Sequence, residues 1–407
     1  MTARLPQLFA AHIVMHPRAV RDRGDSAAAA IAGVNRMYKF AALLAALVWM
    51  DVGLPAAAAP PKTRNVVLVV SDGLRWQEVF SGADPLLLND AKAGGNWTPV
   101  AELRQKYWRE DPRERRQLLL PFLWGTVARN GQLYGNQLAG SRVQVANKIL
   151  ISYPGYNEML TGSADPRIDS NEFGPNPNVT VFEWLNADAE FRGKVSVFGA
   201  WGKFADIFNE PRSQLRTRAG ATVVDHDDRS DRGLLLAELY RTTTRLDGSK
   251  PYDSFLQLAL REHLKANRPR MLFVGYGDTD LFAHLGRYDQ VLESAHNFDQ
   301  FVAELWQALQ SLPEYRDQTT LILTADHGRG SGPSDWKDHG AAYAGSQNIW
   351  IGVLGPDTVA LGERSNVPDL TQGQVAATVA ALAGKDLRKL NPNAAAPLPQ
   401  APAAAMH

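Results

Sequence analysis

The chain has no cysteine, no excess of charge of either sign and no apolar run long enough to span a bilayer. Without cysteine, a disulfide scaffold, a thiolate zinc site, an iron–sulfur cluster and a cysteine nucleophile are excluded. The 43 Lys and Arg residues balance the 43 Asp and Glu residues, so no global field attracts a nucleic-acid polymer or an anionic membrane. Any bound metal must therefore be held by His, Asp or Glu side chains.

What the sequence does contain is typical of a globular protein. Its 407 residues are 45% hydrophobic and 21% charged. This length exceeds the roughly 250–300 residues at which a single core usually stops growing. The length alone is therefore compatible with one large domain with insertions or with two domains.

An apolar segment near the N-terminus has the pattern of a secretory signal peptide. Phe40–Met50 reads FAALLAALVWM, follows Arg36 and Lys39, and leads into the small residues Ala56–Ala59. We therefore predict that residues 1–59 are a pre-segment and signal peptide and that the protein is exported, to the periplasm or to the medium. The alternative is a buried N-terminal helix. No stable membrane span is expected, since crossing a bilayer takes about 20 apolar residues.

Beyond this segment, short apolar runs alternate with amphipathic ones. The run NVVLVV at Asn65–Val70 is rich in β-branched residues, which is typical of a buried parallel strand. Similar runs are Lys194–Gly199, Met271–Gly275, Thr319–Thr324 and Asn348–Leu354, with a weaker one at Val145–Ile151. Helical periodicity occurs at Gly233–Arg245, Asp253–Ala266, Asp289–Leu312 and Thr371–Leu382. This alternation predicts an α/β fold, a doubly wound, mostly parallel sheet flanked by helices.

Removing residues 1–59 leaves one domain rather than two. We predict a catalytic domain at 60–390 and a disordered Ala/Pro-rich tail at 391–407. Two segments, 81–116 and 163–177, read as loop insertions or a small cap over the site.

Six carboxylate and imidazole side chains lie at or after the ends of predicted strands. They are Asp72, Asp280, His284, Asp326, His327 and His339. Each alone has an ordinary explanation, since an Asp after a strand is usually a turn former or helix cap. Together, at the edge of the sheet where ligands bind, they predict two divalent metal ions, with zinc expected first and manganese as the alternative. On a helix, a spacing of four places Asp280 and His284 on the same face.

A nucleophile candidate stands in the segment NKILISYPGYNEMLTG. Ser152 ends an apolar run and precedes a short helical pattern, so its hydroxyl is expected near a helix N-terminus, which favours anions. A serine is a weak nucleophile unless a base or a metal activates it, and no histidine is adjacent in sequence. The alternative role is a helix N-cap, and Thr161 and Ser163 are the fallback nucleophiles.

The order of these motifs resembles the alkaline phosphatase superfamily, and within it the type I phosphodiesterase/nucleotide pyrophosphatase-like group. The motifs are VVLVVSDGLRW, SYPGYNEMLTG, DLFAH, ADHG and DHG, and the similarity runs from about Asn65 to Leu382. The resemblance implies one zinc held by Asp72, Asp326, His327 and Ser152, and a second held by Asp280, His284 and His339. It also implies that Asn171 binds the phosphate of the substrate.

The resemblance further implies an exported two-metal hydrolase of phosphate esters, acting on monoesters or diesters through a phospho-serine intermediate. The expected partner is a small phosphorylated substrate, not a nucleic-acid polymer. Ser152 stands where the phosphodiesterase pattern usually has Thr, which leaves monoester and diester preference open. The Arg of the sulfatase nucleophile motif is missing, so sulfatase activity is disfavoured. A phosphotransferase, a sulfatase-like hydrolase of the same superfamily and a non-catalytic metal- or phospholigand-binding protein stay open as alternatives, and so does the oligomeric state.

Overall fold

The computed structural model describes residues 62–224, 229–246 and 250–399. The predicted pre-segment and signal peptide, and residues 400–407 of the predicted tail, lie outside these ranges.

The fold is built around an eight-stranded sheet with strand order β10-β2-β9-β7-β1-β6-β4-β5, and a three-stranded sheet, β11-β3-β8, accompanies it. The strands are β1 Asn65–Ser71, β2 Gln132–Tyr134, β3 Val143–Gln144, β4 Val195–Gly199, β5 Thr217–Ala219, β6 Met271–Tyr276, β7 Thr319–Thr324, β8 Asn348–Ile349, β9 Ile351–Leu354, β10 Gly362–Glu363 and β11 Leu370–Thr371. In the large sheet β5, β4, β6, β1 and β7 run parallel, and β9 is antiparallel to both of its neighbours. The predicted mostly parallel α/β sheet is therefore confirmed.

Helices flank this sheet. The α-helices are α1 Trp76–Ser81, α2 Pro85–Asn89, α3 Ala91–Gly94, α4 Val100–Tyr107, α5 Pro112–Leu119, α6 Ala128–Asn130, α7 Ser152–Thr161, α8 Val181–Ala187, α9 Phe204–Ile207, α10 Glu210–Ser213, α11 Asp231–Thr242, α12 Asp253–Asn267, α13 Asp278–His284, α14 Tyr288–Ser311 and α15 Gln374–Leu382. The four helices predicted from periodicity correspond to α11, α12, α14 and α15. None of the helices in the described ranges combines the length and apolar character that crossing a bilayer requires.

Strand β1 lies between β6 and β7 and fixes where the site forms. All seven of its residues are buried, because helices cover both faces of a parallel sheet. Near its end, Val70 is opposite Gly275 on one side and Thr324 on the other. The three strands therefore end side by side, and the turns that follow them meet at one edge of the sheet.

The weaker strand prediction at Val145–Ile151 is wrong. The neighbouring strand β3 ends at Gln144, and side chains rather than another strand then bind the main chain. The carboxylate of Glu158 accepts hydrogen bonds from the N–H groups of Ala146 and Asn147. The side-chain oxygen of Asn147 in turn accepts hydrogen bonds from the N–H groups of Ile149 and Leu150. Backbone groups satisfied in this way have no need of a sheet neighbour.

The run Asn348–Leu354 forms two strands rather than one. The strands β8 and β9 belong to different sheets, and Trp350 separates them. The indole of Trp350 is fully buried and donates to the carbonyl of Leu74 at 3.1 Å. The chain passes from the three-stranded sheet to the eight-stranded sheet at this residue, so one continuous apolar run forms two short strands with different partners.

Of the two predicted insertions, 81–116 is mostly helical and contains α2 to α4 and part of α5. It is tied to the start of α14 by Asp289, whose carboxylate accepts from the N–H groups of Trp97 and Thr98. Segment 163–177 contains no helix or strand.

The prediction of a disordered tail from residue 391 is wrong for residues 391–399, which pack on the domain. Leu398 is only 4% exposed, and its N–H group donates to Thr378 Oγ1 at 2.9 Å. Asn391 Nδ2 donates a hydrogen bond to the carbonyl of Thr161, and Ala395 N–H donates to the carbonyl of Gly162. Composition suggested disorder, but one apolar side chain and a few main-chain bonds anchor the segment.

Helix α7 packs so closely on the chain after β7 that only glycine fits at position 155. A Cβ atom on Gly155 would lie 2.4 Å from the carbonyl oxygen of Asp326. Although alanine favours a helix, we expect Gly155→Ala to lower the free energy of unfolding by about 1–3 kcal/mol, because helix and loop must separate. Denaturant unfolding measures this. The control is Gly174→Ala, which meets nothing within 4 Å and should stay within about 0.5 kcal/mol. A Gly155→Ala protein as stable as wild type would contradict the close approach.

Candidate active site

The turns at the carboxyl edge of the sheet bring most of the predicted ligands together. Asp72 follows β1 directly, Asp326 and His327 follow β7, and helix α13 after β6 carries Asp280 and His284. Helix α13 places Asp280 and His284 on one face, with His284 Nε2 3.3 Å from Asp280 Oδ1. The positions expected from the strand ends are therefore adjacent in space.

Hydrogen bonds fix the turns that carry the carboxylates. Gly73 has a left-handed backbone, with φ of 60°, and its N–H group donates to Asp326 Oδ1 at 3.0 Å. Thr279 Oγ1 donates to the carbonyl of Asp72, and Gln372 Nε2 donates to the carbonyl of Asp326 at 2.6 Å. The turns of both aspartates are thus fixed by hydrogen bonds from neighbouring elements.

The first cluster surrounds His327 Nε2. Asp72 Oδ1 and Asp326 Oδ2 each lie 3.4 Å from this nitrogen, and Ser152 Oγ lies 3.3 Å from it. Among the residues that the structure describes, neither carboxylate oxygen has a hydrogen-bond partner, although both are buried. Buried oxygens of this kind are costly unless a cation or donor meets them, so the donor set fits a divalent metal.

The second cluster is formed by Asp280, His284 and His339. Asp280 Oδ1 is 3.7 Å from His339 Nε2, and the Nε2 atoms of the two histidines are 3.1 Å apart. The ligand atoms of these three residues lie within 4.8 Å of one another, and so do those of Asp72, Asp280 and His327. Asp280 therefore belongs to both groups and lies between the two clusters.

The three histidines present the same nitrogen to the clusters. His327 Nδ1 donates to the carbonyl of the next residue at 2.9 Å, and His339 Nδ1 donates to the carbonyl of Leu150 at 3.3 Å. His284 Nδ1 faces the carboxylate of Asp338 at 3.5 Å. A proton held on Nδ1 leaves the Nε2 lone pair free, which is the tautomer that binds a metal.

Burial shifts the pKa values of the carboxyl groups and of the imidazoles in this site in opposite directions. Burial, helped by the charges of Asp326 and Asp280, raises the pKa of Asp72 well above its usual range, and burial raises the pKa of Asp326 to about 7. Burial lowers the pKa of His327 to about 4 and, together with the charge of His327, that of His339 to about 2. In the metal-free protein near neutral pH these two imidazoles are therefore neutral, and the carboxyl group of Asp326 titrates in this range.

Ser152 is the first residue of α7 and is only 6% exposed. The residue two before it, Leu150, has a left-handed backbone with φ of 59° and turns the chain into the helix. Asn171 Oδ1 accepts from Tyr153 N–H at 2.9 Å, so the predicted phosphate-binding residue lies beside the same helix end. The fallback nucleophile Thr161 is the last residue of this ten-residue helix, on the order of 15 Å away, and Ser163 lies beyond it.

Arg329, which the sequence motifs did not predict, is also buried in this site. Its guanidinium donates to Asp280 Oδ1 from Nη1 at 3.0 Å and from Nη2 at 2.8 Å. Burial opposes ionisation of Asp280, but the charge of Arg329 and the neighbouring histidines hold its pKa well below the usual range. The sequence does place Arg329 near the predicted ligands, because it comes two residues after the Asp-His pair in ADHGRG.

We expect the metal-free protein to release protons when it binds Zn²⁺ at pH 6, and progressively fewer as the pH rises past about 7. Metal binding needs ionised carboxylates and neutral imidazoles. Because the pKa of Asp326 is about 7, this carboxyl group releases its proton on metal binding, and the raised pKa of Asp72 acts in the same direction, whereas His327 and His339 are already neutral. Metal affinity should accordingly fall as the pH drops through 7. Titration calorimetry in buffers of different ionisation enthalpy counts the protons, and equal affinity with no release at pH 6 would contradict the expectation.

Solved structures share this fold at low sequence identity. A lipoteichoic acid synthase, LtaP from Listeria monocytogenes, aligns with a TM-score of 0.52 and 12% identity, over 82% of this chain and 75% of that one. A mutant of the alkaline phosphatase PafA aligns with a TM-score of 0.50 and 12% identity, over 84% of this chain and 99% of that one. These likenesses concern the fold alone. No curated protein sequence matches the chain.

The sequence itself matches one family over most of its length. Residues 88–404 match the profile described as type I phosphodiesterase / nucleotide pyrophosphatase. The expected resemblance is confirmed, and with it the hydrolase class of the alkaline phosphatase superfamily. The chain belongs to the type I phosphodiesterase / nucleotide pyrophosphatase family.

Proposed function

We propose that the protein is a two-metal hydrolase of phosphate esters in which Ser152 is the nucleophile. The observation that carries this proposal is the position of Ser152 Oγ, 3.3 Å from His327 Nε2, beside two buried carboxylate oxygens and at the N-terminus of α7. Membership of a phosphodiesterase family supports the reaction class.

The residues that would hold the metals follow from the two clusters. One ion would be held by Asp72, Asp326, His327 and Ser152. The other would be held by Asp280, His284 and His339. When bound, two such ions supply positive charge that favours the serine alkoxide and offsets the charge on the leaving oxygen. Neutral imidazole and carboxylate ligands suit Zn²⁺, and Mn²⁺ is the alternative.

The reaction divides into two half-reactions at Ser152. In the first, the hydroxyl of Ser152 loses its proton to water, the Oγ–P bond forms, and the bond from phosphorus to the ester oxygen breaks. The released alcohol takes up a proton from water. In the second, a water molecule forms its own bond to phosphorus, the Oγ–P bond breaks, and Ser152 regains a proton. The phospho-serine is thus formed and removed, and the enzyme returns to its initial state.

Asn171 and the first turn of α7 would hold the non-bridging phosphate oxygens. In this turn Tyr153 N–H already donates to Asn171 and Pro154 has no N–H group, so the candidate donors to an anion are the Ser152 N–H group and Asn171 Nδ2. The bond from Tyr153 N–H to Asn171 Oδ1 keeps the Asn171 side chain beside this turn. We therefore assign Asn171 to substrate binding rather than to the chemical step.

Two alternatives share this site. A phosphotransferase would use the same first half-reaction and pass the phosphoryl group to an acceptor other than water. A non-catalytic metal- or phospholigand-binding protein would have no use for a buried serine among the ligand atoms. Product analysis separates the first alternative, because hydrolysis releases inorganic phosphate from a monoester in amounts equal to the alcohol.

We also propose that the protein is exported, on the strength of the signal-peptide pattern at 40–59. N-terminal sequencing of the protein recovered from the periplasm or medium tests this, with a mature start after residue 50 expected. A start before residue 50 would argue against cleavage at the Ala-rich end.

The decisive experiment is turnover of p-nitrophenyl phosphate and of its bis-ester by the Ser152→Ala variant. We expect kcat to fall about a thousandfold or more while metal content stays close to wild type, because three protein ligands remain at the first site. Treatment of the wild type with EDTA should abolish turnover, and added Zn²⁺ or Mn²⁺ should restore it.

The matched control is Ser163→Ala, which removes a serine just beyond the far end of the same helix and should leave kcat unchanged. Full activity of Ser152→Ala would show that the nucleophile assignment is wrong. A wild type that binds metal but turns over neither ester would favour the binding protein.

A further inference from the structure

A buried cation is already bound to the carboxylate of the second metal cluster, Asp280. Arg329 is 3% exposed, and both of its Nη groups donate to the same oxygen, Asp280 Oδ1. This oxygen is the one that lies 3.3 Å from His284 Nε2 and 3.7 Å from His339 Nε2. A metal at the second cluster and the Arg329 guanidinium would therefore draw on the same atom.

The guanidinium has little freedom to move away from Asp280. Nη2 also donates to the main-chain carbonyl of Asp280 at 3.3 Å, and Nε is buried without a partner among the described residues. Gly73 lies close on another side, since a Cβ atom at this position would be in van der Waals contact with Nη1 at 3.5 Å and with Asp280 Oδ1 at 3.4 Å. The arginine is thus packed in place and directed at one residue.

Its effect on the two clusters differs because its contacts differ. Asp72 and Asp326 receive no hydrogen bond from Arg329, and their free oxygens face His327 and Ser152 instead. Asp280 is the carboxylate whose charge Arg329 neutralises at hydrogen-bond distance. A like charge one atom away from the ligand set opposes the entry of a second cation, and this repulsion is weakly screened in a buried site.

We propose that Arg329 makes the two metal sites unequal, by competing with the cation for Asp280 and so weakening the Asp280/His284/His339 site. The site of Asp72, Asp326, His327 and Ser152 keeps its metal, and the other site exchanges it. Arg329 also takes the place of the second cation when that site is empty, since it supplies a counter-charge to the carboxylates. It is a positioning residue, and the inference rests on the two-metal function proposed above.

The test is metal affinity and stoichiometry rather than activity. Zn²⁺, and separately Mn²⁺, is titrated into the metal-free wild type, Arg329→Met and Arg329→Lys against a chromophoric chelator. In the wild type we expect two sites with clearly different Kd values. In Arg329→Met the weaker site should bind at least about tenfold more tightly, because a unit charge has been removed from its ligand set. Arg329→Lys keeps the charge and should keep the difference.

Two further variants assign the sites and control for packing. His284→Ala should remove the weaker site in the wild type, which identifies it. Arg115→Met removes another buried arginine, one whose donors go to the carbonyls of Ser81 and Arg109, and should leave both Kd values unchanged. The melting temperature gives a second readout. Arg329→Met should melt lower than wild type without metal, and added metal should raise its melting temperature by more than it raises that of the wild type.

The outcomes separate this inference from the function on which it rests. Two sites of equal affinity in the wild type, or an unchanged or wider difference in Arg329→Met, would overturn the role of Arg329 and leave the two-metal hydrolase standing. A wild type that binds no metal at either cluster would overturn both. A wild type that holds one metal where Arg329→Met holds two would support the competition in its strongest form.

Discussion

Repulsion among three buried carboxylates determines how this site is built. Asp72 and Asp280 have ligand atoms within 4.8 Å of each other, and Asp326 shares His327 with Asp72. Such a group cannot stay ionised in a protein interior without compensation. The structure compensates Asp280 with a guanidinium and Asp326 Oδ1 with a main-chain N–H group, whereas Asp72 Oδ1 and Asp326 Oδ2 face His327 without a hydrogen-bond partner among the described residues. The free oxygens are where a cation is still needed.

The sheet makes this arrangement possible because the register of its strands fixes where the ligand-bearing turns begin. Strands β6, β1 and β7 run parallel and in register, so the turns after them begin at the same level. The nucleophile does not come from one of these strands. It arrives on α7, and its approach to the sheet edge depends on the absence of a side chain at Gly155. The metal ligands are therefore positioned by strand register, and Ser152 by helix packing.

Much of this could be predicted from the sequence, because the ligands follow strands whose β-branched runs are easy to recognise. Asp72, Asp326 and the pair on α13 were found in this way. Arg329 was missed because its role depends on a partner 49 residues away, and a lone arginine in a loop reads as exposed. The weak strand before Ser152 was mispredicted for a similar reason. Its apolar residues suggested a strand, but the backbone is bound by Glu158, a residue of the following helix.

The segment at 391–399 has a consequence for the order in which the protein is completed. It bonds to the carbonyls of Thr161 and Gly162, at the far end of the helix that begins with Ser152. During synthesis, those carbonyls meet their partners only after more than two hundred further residues have left the ribosome. The C-terminal end of the helix that presents the nucleophile therefore depends on the last described segment of the chain for the hydrogen bonds of these two carbonyls.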